Sequence, residues 1–110
     1  MDTIVIDGQE YVKKQTMGEK FIVRTYSAGV HYGEIVSRND GEAMLTSSRR
    51  LWYWSGAASL NQMAMDGVSK PGDCKFSVRV PEITVLGVIE IIRCSEKAIK
   101  SIEAVNEWKK

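Results

Sequence analysis

The chain has 110 residues, 44% hydrophobic and 26% charged, which excludes a disordered chain, a coiled coil or a low-complexity segment. That length is one domain, 1–110, with room for one real core. Fifteen Lys and Arg against fourteen Asp and Glu leave a net charge of +1, too little for a dedicated duplex-DNA binder, whose affinity comes mostly from neutralising phosphates.

In chain order, Ile4–Ile6 and Glu10–Val12 flank Asp7-Gly8, a pair that favours a tight hairpin, expected over 3–13. A β core is expected over 20–94. Phe21–Tyr26 is rich in β-formers, Ser27-Ala28-Gly29 breaks it, and Val30–Val36 resumes extended structure. Gly29 and Gly33 suggest a bulge or a close backbone approach. After the Asn39-Asp40-Gly41 turn, Ala43–Trp54 reads as a return strand, interrupted near Thr46-Ser47-Ser48. A short helix is expected over 59–66: Ser59 and Gln62 form a capping box, Leu60, Met63 and Ala64 share a face, and Asp66-Gly67 ends it. Lys70-Pro71-Gly72-Asp73 is a turn.

Cys74–Val80 alternates, with Cys74, Phe76, Val78 and Val80 expected to face the core and Pro81 to end the strand. Ile83–Cys94 is apolar on both faces, as in a central or interface strand, and its β-branched content favours strand over helix. A strand of that kind in so small a domain suggests packing against a second copy, hence a homo-oligomer; the rival is that the last helix covers it. That helix is expected over 95–106, capped by Ser95, with Ala98, Ile102 and Val105 inward and Lys97, Lys100 and Glu103 toward water. Trp108 is expected to tuck the C-terminus onto the body. The expected fold is mainly β (α+β): a curved antiparallel sheet or small partly open barrel with two short helices.

The longest apolar stretch, Ile83–Ile92, is too short and too polar to span a bilayer, and Met1-Asp2-Thr3 opens no signal-peptide pattern, so a cytosolic location is expected. Cys74 and Cys94 then read as two buried thiols. With His31 the only histidine, a zinc site lacks ligands, and neither metal nor cofactor is expected.

Two stretches could carry chemistry. In Arg49-Arg50-Leu51-Trp52-Tyr53-Trp54-Ser55-Gly56, extended backbone puts Arg50, Trp52 and Trp54 on one face and Arg49, Leu51 and Tyr53 on the other. Guanidinium beside indole suits a ring that carries a phosphate; the same residues also suit a core face and a solvated edge. Arg24 to Gly33 gathers Arg24, Tyr26, His31 and two glycines, which fits a ligand-orienting loop or an ordinary bulged strand. Arg24, Tyr26, His31, Arg49, Arg50, Trp52 and Trp54 are therefore the candidate ligand-binding residues. Glu90, inside an apolar run, needs a cation if buried and is read as exposed. Nucleophile-elbow, phosphate-loop, dinucleotide-loop and zinc-protease motifs are all absent, so no enzyme is expected.

Phe21-Ile22-Val23-Arg24-Thr25-Tyr26-Ser27-Ala28-Gly29-Val30-His31-Tyr32-Gly33 and Arg49–Ala57, with Cys74-Lys75-Phe76-Ser77 and the Ser101–Lys109 ending, resemble a family of short phage- and prophage-encoded proteins of unassigned function. The resemblance implies a phage origin and the cytosol of an infected bacterium, and supplies no catalytic residue. Small phage proteins often act by binding, some by capturing a nucleotide signal of a bacterial defence system, others by blocking a host protein. The expected function is capture of an anionic, nucleotide-like ligand. The alternatives are a protein–protein module that inhibits or redirects a host protein, since Trp, Tyr and Arg dominate hot spots, and a single-stranded nucleic-acid binder, which the near-neutral charge disfavours.

Overall fold

The computed structural model describes residues 18–110; the hairpin expected at 3–13 lies outside them. Strand β1 (Phe21–Thr25) pairs antiparallel with β2 (Val30–Asn39), and β2 with β3 (Glu42–Tyr53). Asp40 and Gly41 join β2 to β3 with φ of 45° and 82°, the left-handed pair whose twist matches a two-residue hairpin. The free edge of β3 is shared. Its first part pairs with β5 (Val80–Leu86), and its last residues with β4 (Lys75–Phe76). Strand β6 (Val88–Arg93) pairs with β1.

The six strands form one open antiparallel sheet, ordered β4-β3-β2-β1-β6 with β5 beside β3. Its curl comes from one bend. Only Gly87, at φ 69°, separates β5 from β6, and its carbonyl accepts the Tyr26 N–H at 2.8 Å. The chain thereby leaves the β3 edge and joins the β1 edge. The expected single strand Ile83–Cys94 is in fact these two strands. It is apolar on both faces because the sheet separates two cores: Ile91 packs inside the curl with Val23, Leu45 and Val85, and Ile92 packs on the outer face under the helices. Consecutive Ile22 and Val23 divide the same way, as a period of two requires.

The expected strand Cys74–Val80 is also shorter. β4 stops at Phe76, and Val78 and Val80 are exposed, because Ser77 turns to bond the Arg50 backbone through both its N–H and its hydroxyl oxygen. Pro81 does not end a strand; it lies within β5, which among the described residues has β3 on one side only, the edge setting in which strands tolerate proline. The interruption near Ser47 is a bulge within a continuous β3. Ser47 takes φ 49°, and the register with β2 slips between Tyr32 and Glu34.

Helix α1 (Leu60–Asp66) starts where the Ser59 hydroxyl accepts the Gln62 N–H at 3.1 Å, and Gly67 ends it at φ 78°. The glutamine side chain reaches the N–H of Ala58, one residue before the expected capping-box partner. Helix α2 (Glu96–Ala104) starts on Ser95, whose oxygen accepts from Ala98 while its hydroxyl donates to the Met65 carbonyl. One serine thus caps α2 and ties it to α1. Ala98, Ile102 and Val105 are buried as expected. Trp108 remains half-exposed, but its N–H donates to the Phe76 carbonyl at 2.8 Å and Lys75 lies over its ring, so the C-terminus is docked.

Candidate functional site

Strand β3 carries the two arginines, and its alternation separates them. Arg49 is only 1% exposed. Its guanidinium donates to the carbonyls of Ile102 and Val105 at 3.1 and 3.0 Å, to Ser77 at 3.2 Å and to Phe76 at 3.4 Å, and stacks over the Phe76 ring. A cation on the last carbonyls of α2 complements the helix dipole. Arg49 therefore ties α2 to the sheet, and its donors are taken up by main-chain acceptors.

Arg50 points the other way. Its guanidinium lies 5.2 Å from the Trp52 ring centroid, within cation–π range. Among the described residues it has no carboxylate at ion-pair distance. The Ser77 contacts fix its backbone, and its stem runs beside Gly29. The facing loop is built by Thr25, whose hydroxyl donates to the Gly29 carbonyl and accepts the Ala28 N–H, both at 2.8 Å. Gly29 closes the loop at φ 87°, a conformation suited to glycine. Between loop and strand runs a groove of about 370 Å³, lined by Ser27, Ala28, Gly29 and Val30 on one side and Arg50, Leu51, Trp52 and Trp54 on the other. No acidic residue lines it.

His31 is paired with Arg50 across the β2–β3 register and is 1% exposed. Its Nε2 lies 2.9 Å from the Ala28 carbonyl. A carbonyl only accepts, so Nε2 carries the hydrogen. Burial holds the imidazole pKa below 6.5; the bond to Ala28 opposes this, and the Arg50 charge adds to it. The ring is neutral at pH 7, with a bare lone pair on Nδ1.

The remaining candidates lie elsewhere. Arg24 pairs with Glu90 at 3.0 Å with both side chains nearly half-exposed, so Glu90 is neither buried nor unpaired. Tyr26 is 85% exposed beside Gly87. The structure thus gathers Arg50, Trp52 and Trp54 along one groove with His31 behind it, and places Arg24, Tyr26 and Arg49 outside it. Two wider concavities, of about 510 and 430 Å³, open where the β2–β3 hairpin faces β6. Both mix Arg38 with carboxylates and lack an indole, so they offer less for an anionic ring.

Sequence reasoning missed a polar network under α2. The Tyr32 hydroxyl donates to Glu103 Oε2 at 2.9 Å, Arg79 bonds Glu103 at 3.0 Å and Glu107 at 3.2 Å, and Lys20 lies 3.5 Å from Glu34 and 3.8 Å from Glu103. Glu103 is therefore not a freely solvated residue, as helical spacing suggested, because Lys20 just before β1, Tyr32 of β2 and Arg79 converge on its partly buried carboxylate. Burial pushes its carboxyl upward, but the bonds from Tyr32 and Arg79 and the Lys20 charge outweigh that and hold it below the usual value. Burial, then the Glu103 bond, raises the Tyr32 hydroxyl far above its ordinary value. Cys74 and Cys94 are free buried thiols, and burial pushes Cys94 up to about 12. Among the described residues no three His, Cys, Asp or Glu side chains cluster as a metal site, and no helix is long and apolar enough to cross a membrane.

Residues 18–102 match a family described as a domain of unknown function (DUF6948). The chain belongs to this family. The match covers the Phe21–Gly33 and Arg49–Ala57 stretches, and so every wall of the groove. No curated protein and no solved structure matches the chain.

Proposed function

We propose that this domain captures a small anionic ligand bearing a flat ring, a nucleotide-like molecule, in the groove between the Ser27–Val30 loop and the end of β3. The observation that carries the reading is Arg50: a guanidinium stacked on Trp52, unpaired among the described residues, at a groove with no carboxylate in its lining. A bare cation beside one indole, with a second indole lining the same groove, favours a phosphate with a stacking base. In this reading the domain acts by sequestering its ligand. The resemblance to phage-encoded proteins supplies the setting: the cytosol of an infected bacterium, with capture of a defence signal as the outcome. Leu86 and Ile89, exposed on either side of Gly87, and the exposed Tyr26 next to that glycine favour assembly with further copies of the chain.

Arg50→Ala is expected to weaken nucleotide binding about ten- to a hundredfold, the worth of a charged hydrogen bond, with the melting temperature unchanged. Titration calorimetry on both proteins reads this. Equal affinities would remove Arg50, and with it this reading. Stoichiometric capture of one bacterial protein by the wild type, abolished in Trp52→Ala and unaffected by nucleotides, would favour host-protein binding instead.

A further inference from the structure

Behind Arg50 lies a second, smaller cavity of about 250 Å³, lined by His31, Ser48, Arg49, Arg50, Ser77, Val78, Val80 and Ile83. Arg50 borders both it and the groove. His31 and Ser48 are each 1% exposed. His31 and Arg50 are cross-strand partners, and Ser48 lies two residues before Arg50, so all three share one face of the sheet. His31 spends its Nε2–H on Ala28. Among the described residues neither Nδ1 of His31 nor the Ser48 hydroxyl has a hydrogen-bond partner. Buried polar groups left unpaired are costly and uncommon. Two of them belong to residues that line one cavity, which makes that cavity the place to look for a group that completes their bonding.

We propose that His31 and Ser48 form the polar floor of a subsite, in which Nδ1 accepts a hydrogen bond from an uncharged N–H or O–H of the ligand whose anionic group Arg50 holds. The chemistry selects a neutral donor. Nδ1 has only a lone pair to offer, and the guanidinium next to it disfavours a second cation. Val78, Val80 and Ile83 supply an apolar wall that fits the edge of a ring or sugar. Two parts of a nucleotide carry such a donor, an exocyclic amine and a ribose hydroxyl. The inference rests on the capture reading above and adds a selectivity to it: ligands lacking the donor bind less tightly.

The chain has a single histidine, so the two ¹⁵N signals of one imidazole report the site, the protonated Nε2 and the bare Nδ1 being told apart by their well-separated shifts. Adenosine 5′-monophosphate serves as the probe, with 2′-deoxyadenosine 5′-monophosphate and the desamino analogue, purine riboside 5′-monophosphate, as controls. The expected result is that the bare Nδ1 resonance moves on binding while the Nε2 resonance holds. His31→Gln keeps a donor for Ala28 and removes the δ acceptor; it is expected to weaken the probe about three- to tenfold, the worth of one neutral hydrogen bond. Ser48→Ala, a smaller change, is expected to act in the same direction. The analogue missing the contacting group then binds wild type and His31→Gln alike, which distinguishes amine from hydroxyl. Binding that depends on Arg50 but leaves Nδ1 unmoved and His31→Gln at wild-type affinity would overturn the subsite, with water alone filling the cavity, and leave the groove intact. No binding of any of the three probes would overturn the subsite and the capture reading together.

Discussion

Two neighbouring arginines show how much of this protein is decided one side chain at a time. Arg49 and Arg50 differ by one step of strand alternation, and that step sends one guanidinium to four main-chain carbonyls and leaves the other beside an indole. Arg49→Met leaves those carbonyls dry and is expected to cost about 3 kcal/mol. Arg24→Ala, which breaks only the half-exposed pair with Glu90, is expected to cost less than about 0.5 kcal/mol. Urea denaturation of both variants checks the contrast, and equal midpoints would contradict it. The sequence places both arginines in extended backbone on opposite faces, but which face is inner depends on where α2 docks, and no local pattern carries that. Titration is also set residue by residue. As pH falls below 6.5, the unfolded chain takes up a proton at His31 before the folded one, so stability drops. Glu103, also held below its ordinary value, adds a further loss at lower pH, because its stabilisation is present above the unfolded carboxylate range and is lost as pH falls through the folded value. Denaturation midpoints followed from pH 7 downward are expected to fall in two stages, the upper one absent in His31→Gln and the lower one reduced in Glu103→Gln. A midpoint that rises on acidification would contradict both assignments.

Among the elements, the serine caps, the Asp40-Gly41 hairpin and the Gly67 stop are legible because each is local: a short side chain meets an N–H three residues on, or a turn needs positive φ. The errors are tertiary. Cys74–Val80 alternates as a strand should, yet Ser77 leaves the pattern to bond Arg50, and Glu103 has helical spacing for water but meets Tyr32, Lys20 and Arg79. The glycines give a test at this scale. A Cβ at Gly67 would collide with the Ser101 side chain, whose hydroxyl bonds Val68, and φ there is 78°. Gly67→Ala is expected to cost more than about 1 kcal/mol. Gly41→Asn, at φ 82° with open space around it, is expected to cost less than that. Thermal melts of the two variants rank them, and the reverse order would contradict the packing of α1 on α2.

Over the whole molecule, one bend organises the rest. Gly87 passes the chain from the edge of β3 to the edge of β1, the sheet curls, and the same strands bury one side within the curl and the other beneath two helices. A curved antiparallel sheet with two helices is readable from strand composition and turn spacing, whereas the crossing at Gly87 is not, because Leu86-Gly87-Val88 lies in an unbroken apolar run. The candidate groove was half legible. Arg50 and Trp52 follow from alternation, whereas Trp54 lies past the end of β3 and packs on the Leu51 core, so it reaches the groove by another route; the glycine-bearing loop opposite is visible as a composition shift. That these two stretches face each other follows from the β2–β3 register, which is long-range. The most direct test of the capture reading is native mass spectrometry of the protein purified from bacteria, with bound small molecules released and identified, alongside Arg50→Ala. The expected result is a wild-type species carrying a phosphate-bearing, ring-containing mass that Arg50→Ala lacks. A wild-type species that is empty, and stays empty in millimolar nucleotides, would contradict it.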